Sequence, residues 1–129
     1  MSRLAVVFLP LLGLLAGCPP PSEPTIEVYA VTAAPPARTA AIVTSDEEHT
    51  ITISRGVALA MACWDSCRGA CDSPTFTVGN PEVVSVRPAS RPSTTGATWV
   101  LVAAAAGETS LTVRSACAEE VYAVNVLAP

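Results

Sequence analysis

Over most of this chain apolar and polar side chains alternate one by one, the rhythm of strands with one face buried. Ile26, Val28 and Ala30 alternate with Glu27, Tyr29 and Val31 before Ala33-Ala34-Pro35-Pro36 breaks the run. Ala40 to Thr44 resumes it as an edge segment, where nearby proline is tolerated. Ser45-Asp46-Glu47-Glu48 has the form of a helix capping box, yet Thr50-Ile51-Thr52-Ile53 follows, β-branched and alternating, and predicts a strand. After a turn at Arg55-Gly56, Val57, Leu59, Met61 and Cys63 share one face of the next strand and Ala58, Ala60 and Ala62 the other. Residues 64–74 (WDSCRGACDSP) read as a loop, Thr75 to Val78 as a short strand, and Gly79-Asn80-Pro81 as a turn. Val84 and Val86, Trp99 with Leu101 and Ala103, Leu111 with Val113, and Tyr122 with Val124 and Val126 mark four more strands. A polar loop, 88–96, separates the first two of these. The alanines at 103–106 favour helix locally, but the run is too short to nucleate one and Gly107 closes it. Seven to nine short strands punctuated by turns predict an all-β fold, an antiparallel sandwich.

The N-terminus departs from this rhythm. Leu4 to Ala16 is an almost unbroken apolar stretch of 13 residues, the length of a signal-peptide core and too short to span a bilayer. Pro19-Pro20-Pro21 ends any helix directly after it. The string Leu15-Ala16-Gly17-Cys18 resembles the lipobox of bacterial lipoproteins. That resemblance implies export, cleavage before Cys18 and lipid on its sulfur, with enough acyl chains for stable anchoring where one would be marginal. Position 19 is Pro and not Asp, which by the same resemblance favours the outer membrane of a cell that has one. The expected organisation is a signal peptide over 1–17, a Pro-rich tether over 18–24 and one β-domain over 25–129. Six residues of the tether after Cys18, in polyproline II form, reach roughly 19 Å.

Charge narrows the partners. The chain has 7 basic and 11 acidic residues and a formal net charge of −4. Nucleic-acid binding wants a basic stripe and is not expected, nor is electrostatic adhesion to anionic lipid. Without the signal, 112 of the 129 residues remain, enough for one core.

Four cysteines follow Cys18: Cys63, Cys67, Cys71 and Cys117. In an exported domain an even number suggests two disulfides, with three pairings open. By parity Cys63 falls in phase with Val57, Leu59 and Met61, and Cys117 with Leu111 and Val113, both inward. The rival arrangement is a Cys₄ metal site, but the Cys-x₃-Cys-x₃-Cys spacing departs from the usual two-residue knuckle and an oxidising compartment favours disulfides.

Phe76-Thr-Val-Gly-Asn-Pro-Glu-Val-Val-Ser-Val86, Ala106-Gly107-Glu108-Thr109-Ser110-Leu111-Thr112-Val113 and the closing Val121 to Leu127 together resemble a bacterial Ig-like domain of group 2 type. Phe76 stands where that family commonly has Trp, and most members lack these cysteines. The resemblance implies an Ig-like sandwich in which Cys63 and Cys117 lie on strands B and F and bridge the sheets, leaving Cys67 to pair with Cys71 within the loop.

Other candidate chemistry is sparse. His49 is the single histidine, and with Asp46 and Glu48 beside it reads as a solvated turn. The run Asp46-Glu47-Glu48 lacks the spacing of a calcium loop. Trp64 and Arg68, in the cysteine loop, are residue types favoured at binding hot spots. No phosphate loop or catalytic carboxylate pair is recognisable. The expected function is a membrane-anchored, non-catalytic lipoprotein of the cell envelope, without cofactor, acting in binding, adhesion or assembly through a strand edge or the cysteine loop, on a protein or cell-surface glycan. The alternative is a small exported metal-binding or redox protein using the four cysteines.

Overall fold

In a computed structural model, which describes residues 23–89 and 97–129, the alternating residues turn their apolar members toward one shared core between two five-stranded sheets. Cys18 and the signal segment lie outside the described residues. The first sheet has the order β1 (Ile26–Ala30), β4 (Ala58–Asp65), β8 (Trp99–Ala103), β7 (Val84–Pro88), with β5 (Gly69–Ala70) added to β4. The second has the order β2 (Ala40–Thr44), β3 (His49–Ser54), β10 (Glu119–Leu127), β9 (Gly107–Arg114), β6 (Thr75–Val78). Read as letters, β1-β4-β8-β7 is the A-B-E-D sheet and β10-β9-β6 the G-F-C sheet of an Ig-like sandwich. No helix occurs among the described residues.

Two details differ from the expected sandwich. Ten strands form among the described residues instead of seven to nine, because β4 runs through Asp65 and then folds back as β5 inside the segment expected to be loop. The second sheet is mixed: β3 pairs parallel with β10, Ile51 opposite Val124 and Ile53 opposite Val126. The chain leaves the first sheet after β1, forms the β2–β3 hairpin on the other sheet, and so lies alongside the last strand running in the same direction.

The core is built from the predicted inward positions. Val28, Ile51, Ile53, Leu59, Met61 and Leu101 are all buried. The Ser45-to-Glu48 motif does make its capping bonds, Ser45 Oγ accepting from the Glu48 N–H at 3.0 Å, but it closes the β2–β3 hairpin and begins no helix. Tyr122, fully buried on β10, reaches across to the first sheet. Its hydroxyl accepts from the Val28 N–H at 2.8 Å and lies 2.9 Å from Thr44 Oγ1, which in turn donates to the Val28 carbonyl at 3.2 Å. Both backbone groups of Val28 that face away from β4 are thereby satisfied, and the open edge of β1 is closed at its centre.

Candidate functional site

The four sequence-predicted cysteines gather at one end of the sandwich. Around Asp65–Gly69 the chain reverses: Trp64 faces Ala70 and Asp65 faces Gly69 across the β4–β5 ladder. One step back in that register Cys63 meets Cys71, whose N–H donates to the Cys63 carbonyl at 3.0 Å, and the two side chains form a disulfide with a Cα separation of 5.4 Å. Cys67, at the hairpin tip, is bonded to Cys117 across a Cα separation of 6.5 Å. The Cys63–Cys117 and Cys67–Cys71 pairing expected from the Ig-like order is therefore corrected. The parity that turned Cys117 inward requires β9 to continue through it, whereas β9 ends at Arg114 and Ser115–Ala118 is a turn, the Ser115 N–H donating to the Ala118 carbonyl at 2.8 Å. The two sheets are still tied covalently at this end, but through the tips of two turns and not through the core faces.

Those turns share one construction. Asp65 Oδ1 accepts from the N–H groups of Cys67 at 3.1 Å and Arg68 at 2.7 Å, and Ser115 Oγ accepts from those of Cys117 at 3.3 Å and Ala118 at 3.2 Å. Each cysteine thus sits two residues after a side-chain oxygen that shapes its turn. The signal was in the sequence as Asp65-x-Cys67 and Ser115-x-Cys117, but it identifies turns and not their partners. Asp65 is only 2% exposed. The Arg68 N–H holds its carboxyl below the usual value of 3.8 against the opposing effect of burial, with the Ser115 hydroxyl, the Cys67 N–H and the Arg68 charge adding to the lowering. Asp65, Cys67 and Cys117 are the one cluster among the described residues whose ligating atoms approach within 4.8 Å. Both sulfurs in it are spent on each other and offer no thiolate to a metal.

Trp64 and Arg68 take different places. Arg68 is exposed at the hairpin tip. Trp64 points outward from β4, 55% exposed, its ring lying over Gly69, where an added Cβ would come within 3.0 Å of it. Gly69 also has φ +90°, the left-handed backbone the reversal needs. His49 stays on the rim of the sandwich: its ring meets Tyr122 edge-on at 5.3 Å and its Nδ1 lies 3.7 Å from Glu120 Oε1. With Asp46, Glu27 and Glu120 it borders a cleft of about 140 Å³.

The outer faces differ in chemistry. That of the first sheet carries Tyr29, Val31 and Trp64, all exposed, with Val100 and Val102 half-buried beside them. That of the second carries Thr50, Thr52, Ser110, Thr112 and Asn125, with Val43 and Val121 among them. At Ala123, whose small side chain leaves room between β3 and β9, lies a concavity of about 370 Å³ lined by Glu48, Thr50, Thr52, Glu108 and Asn125. The outward rhythm of these strands was legible, but the concavity was not, since it is assembled from three strands.

No protein-family model matches the chain, and no curated protein does. A similar solved structure is the crystal structure of domains 4 and 5 of the S-layer protein SbsC, 19% identical, with a TM-score of 0.40, covering 81% of this chain and 54% of that one. The chain thus spans about half the length of the chain it matches.

Proposed function

We propose that this chain is a lipid-anchored lipoprotein of the cell envelope, carrying one Ig-like domain of the bacterial group 2 type, and that it is a non-catalytic binding module. The lipobox at Leu15 to Cys18 and the Pro-rich tether support the anchoring. The disulfides suit an oxidising compartment. The observation that carries the binding reading is the concavity on the outer face of the second sheet. It presents hydroxyl, amide and carboxylate groups on a rigid sheet, which is the chemistry that recognises the hydroxyls of a cell-surface glycan. The single histidine is engaged with Tyr122 and Glu120 and serves this reading only as structure.

Three measurements test it. Mass analysis of the N-terminus from a membrane fraction is expected to find a lipid-modified Cys18; a chain starting elsewhere, unmodified, refutes the anchor. Titration with purified envelope polysaccharide is expected to show binding that Asn125→Ala weakens about tenfold, the loss of one or two hydrogen bonds. Binding indifferent to Asn125→Ala and Thr52→Ala, or absent, refutes the glycan site. Four titratable thiols with bound metal in the unreduced protein would instead favour the metal or redox alternative.

A further inference from the structure

We infer that the outer face of the first sheet rests on the membrane, in the interfacial layer of the bilayer that holds the lipid; this depends on the anchoring reading above. Three observations lead to it. The face concentrates apolar exposure: among the described residues five large hydrophobic side chains are exposed, and three of them, Tyr29, Val31 and Trp64, lie on it. It is also electrically neutral. Its outward positions on β1, β4, β8 and β7 include one acid, Glu27, and one base, Arg87, in a chain whose net charge is −4. Such a face can approach anionic headgroups that the rest of the acidic surface would avoid. Its two aromatic residues are the types that settle at the headgroup boundary, an apolar ring with a polar tip, and Trp64 is held ready by its seat over Gly69.

The path of the chain supplies the third observation. Thr25, directly before β1, is fastened to the hairpin tip: its N–H donates to Ser66 Oγ at 2.9 Å and its carbonyl accepts from the Ser66 N–H at 2.9 Å. The tether therefore leaves the domain from the same end of the same sheet as Trp64. With roughly 19 Å of reach from Cys18, it is long enough for the sandwich to lie with this face down and short enough to keep the face beside the bilayer. That orientation turns the Thr-rich face and its concavity toward solvent. A second copy packed on the apolar face would cover the same residues, but nothing in the tether path favours it.

The test uses the mature lipidated chain in phosphatidylcholine vesicles. The protein has two tryptophans, and Trp99 packs inside the sandwich against Phe76 at 5.1 Å. In the Trp99→Phe variant, emission then reports Trp64 alone. Lipids brominated near the headgroup end of their acyl chains are expected to quench it at least twofold, and Val31→Asp is expected to cut that quenching by more than half while the protein still floats with the vesicles. If Trp99→Phe does not fold, the difference between the unaltered chain and Trp64→Phe gives the same reading. Flotation with an unquenched Trp64 overturns the docking and leaves the anchor intact. Emission that changes only with protein density and ignores bromine assigns the face to a second copy and also overturns it. A lipidated chain that fails to float refutes the anchor itself.

Discussion

The two sheets are tied to each other twice, by opposite means. At the turn end, Cys67 and Cys117 join the sheets covalently through the tips of two turns, at positions where the strand rhythm has already stopped. One turn deeper, Tyr122 joins them through a fully buried hydroxyl, from a residue that is itself part of that rhythm. The first tie acts chiefly by restricting the unfolded chain, since it closes a long loop. The second acts in the folded state, by satisfying the Val28 N–H that burial would otherwise leave unpaired. The domain over 25–129 has only two Trp and one Phe, and the two ties supplement a core that is otherwise mostly aliphatic.

Separating the ties by substitution gives effects of decreasing size. Replacing Cys67 and Cys117 together by Ser opens a loop with a sequence separation of 50 and is expected to cost about 4 kcal/mol of unfolding free energy in the chain-entropy model. Replacing Cys63 and Cys71, separated by 8, should cost about 2.5 kcal/mol by the same relation. Denaturant titration of both pairs checks the order, and a larger loss from the short loop would mean that hairpin strain and not loop closure dominates. Tyr122→Phe keeps the ring and removes the hydroxyl, so the loss should be about 1–3 kcal/mol, read by the same titration. Thr44→Val should lose part of it, because Thr44 bonds the same Tyr122 oxygen.

The ties also differ in pH response. Burial raises the Tyr122 phenol above its ordinary value of 10.0, so the folded state holds that proton more tightly than the unfolded chain. Its stabilisation is complete below pH 10.0 and is lost as pH climbs through the raised folded value; Tyr122→Phe should flatten this alkaline limb in unfolding measured against pH. Asp65 is shifted the other way. Its stabilisation is complete above 3.8 and is lost as pH falls through the lowered folded value, a limb that Asp65→Asn should remove. The smallest effect is expected at Gly69→Ala, about 1 kcal/mol from the left-handed backbone, with a change in Trp64 emission as the new methyl displaces the ring. Unchanged emission would show that Trp64 does not depend on this seat.

The sequence carried the strands well and the contacts between them poorly. β2 was expected as an edge segment and is the edge of its sheet; Val57 to Cys63 was expected to face inward at every second residue and does. The β5 return was missed because two residues, Gly69-Ala70, carry no periodicity of their own. Cys117 was misplaced because a parity count carries no information on where a strand ends, and Ser115 ends this one. Trp64 and Arg68 were legible as residue types favoured at binding surfaces, but the exposure of Trp64 and the neutrality of its face emerge only when β1, β4, β8 and β7 lie side by side.

By itself the sequence determined which side chains of the strands turn inward and where most turns fall, because each of these is written within a few neighbouring residues. Tertiary structure alone decided which cysteine meets which, that β3 runs parallel to β10, and that the hydroxyl of Tyr122 closes the edge of β1. The physical reason is common to all three. A period of two residues assigns a side chain to a face, but pairing depends on register and on the distance between segments far apart in the chain, and those are settled only when the two sheets pack around one core.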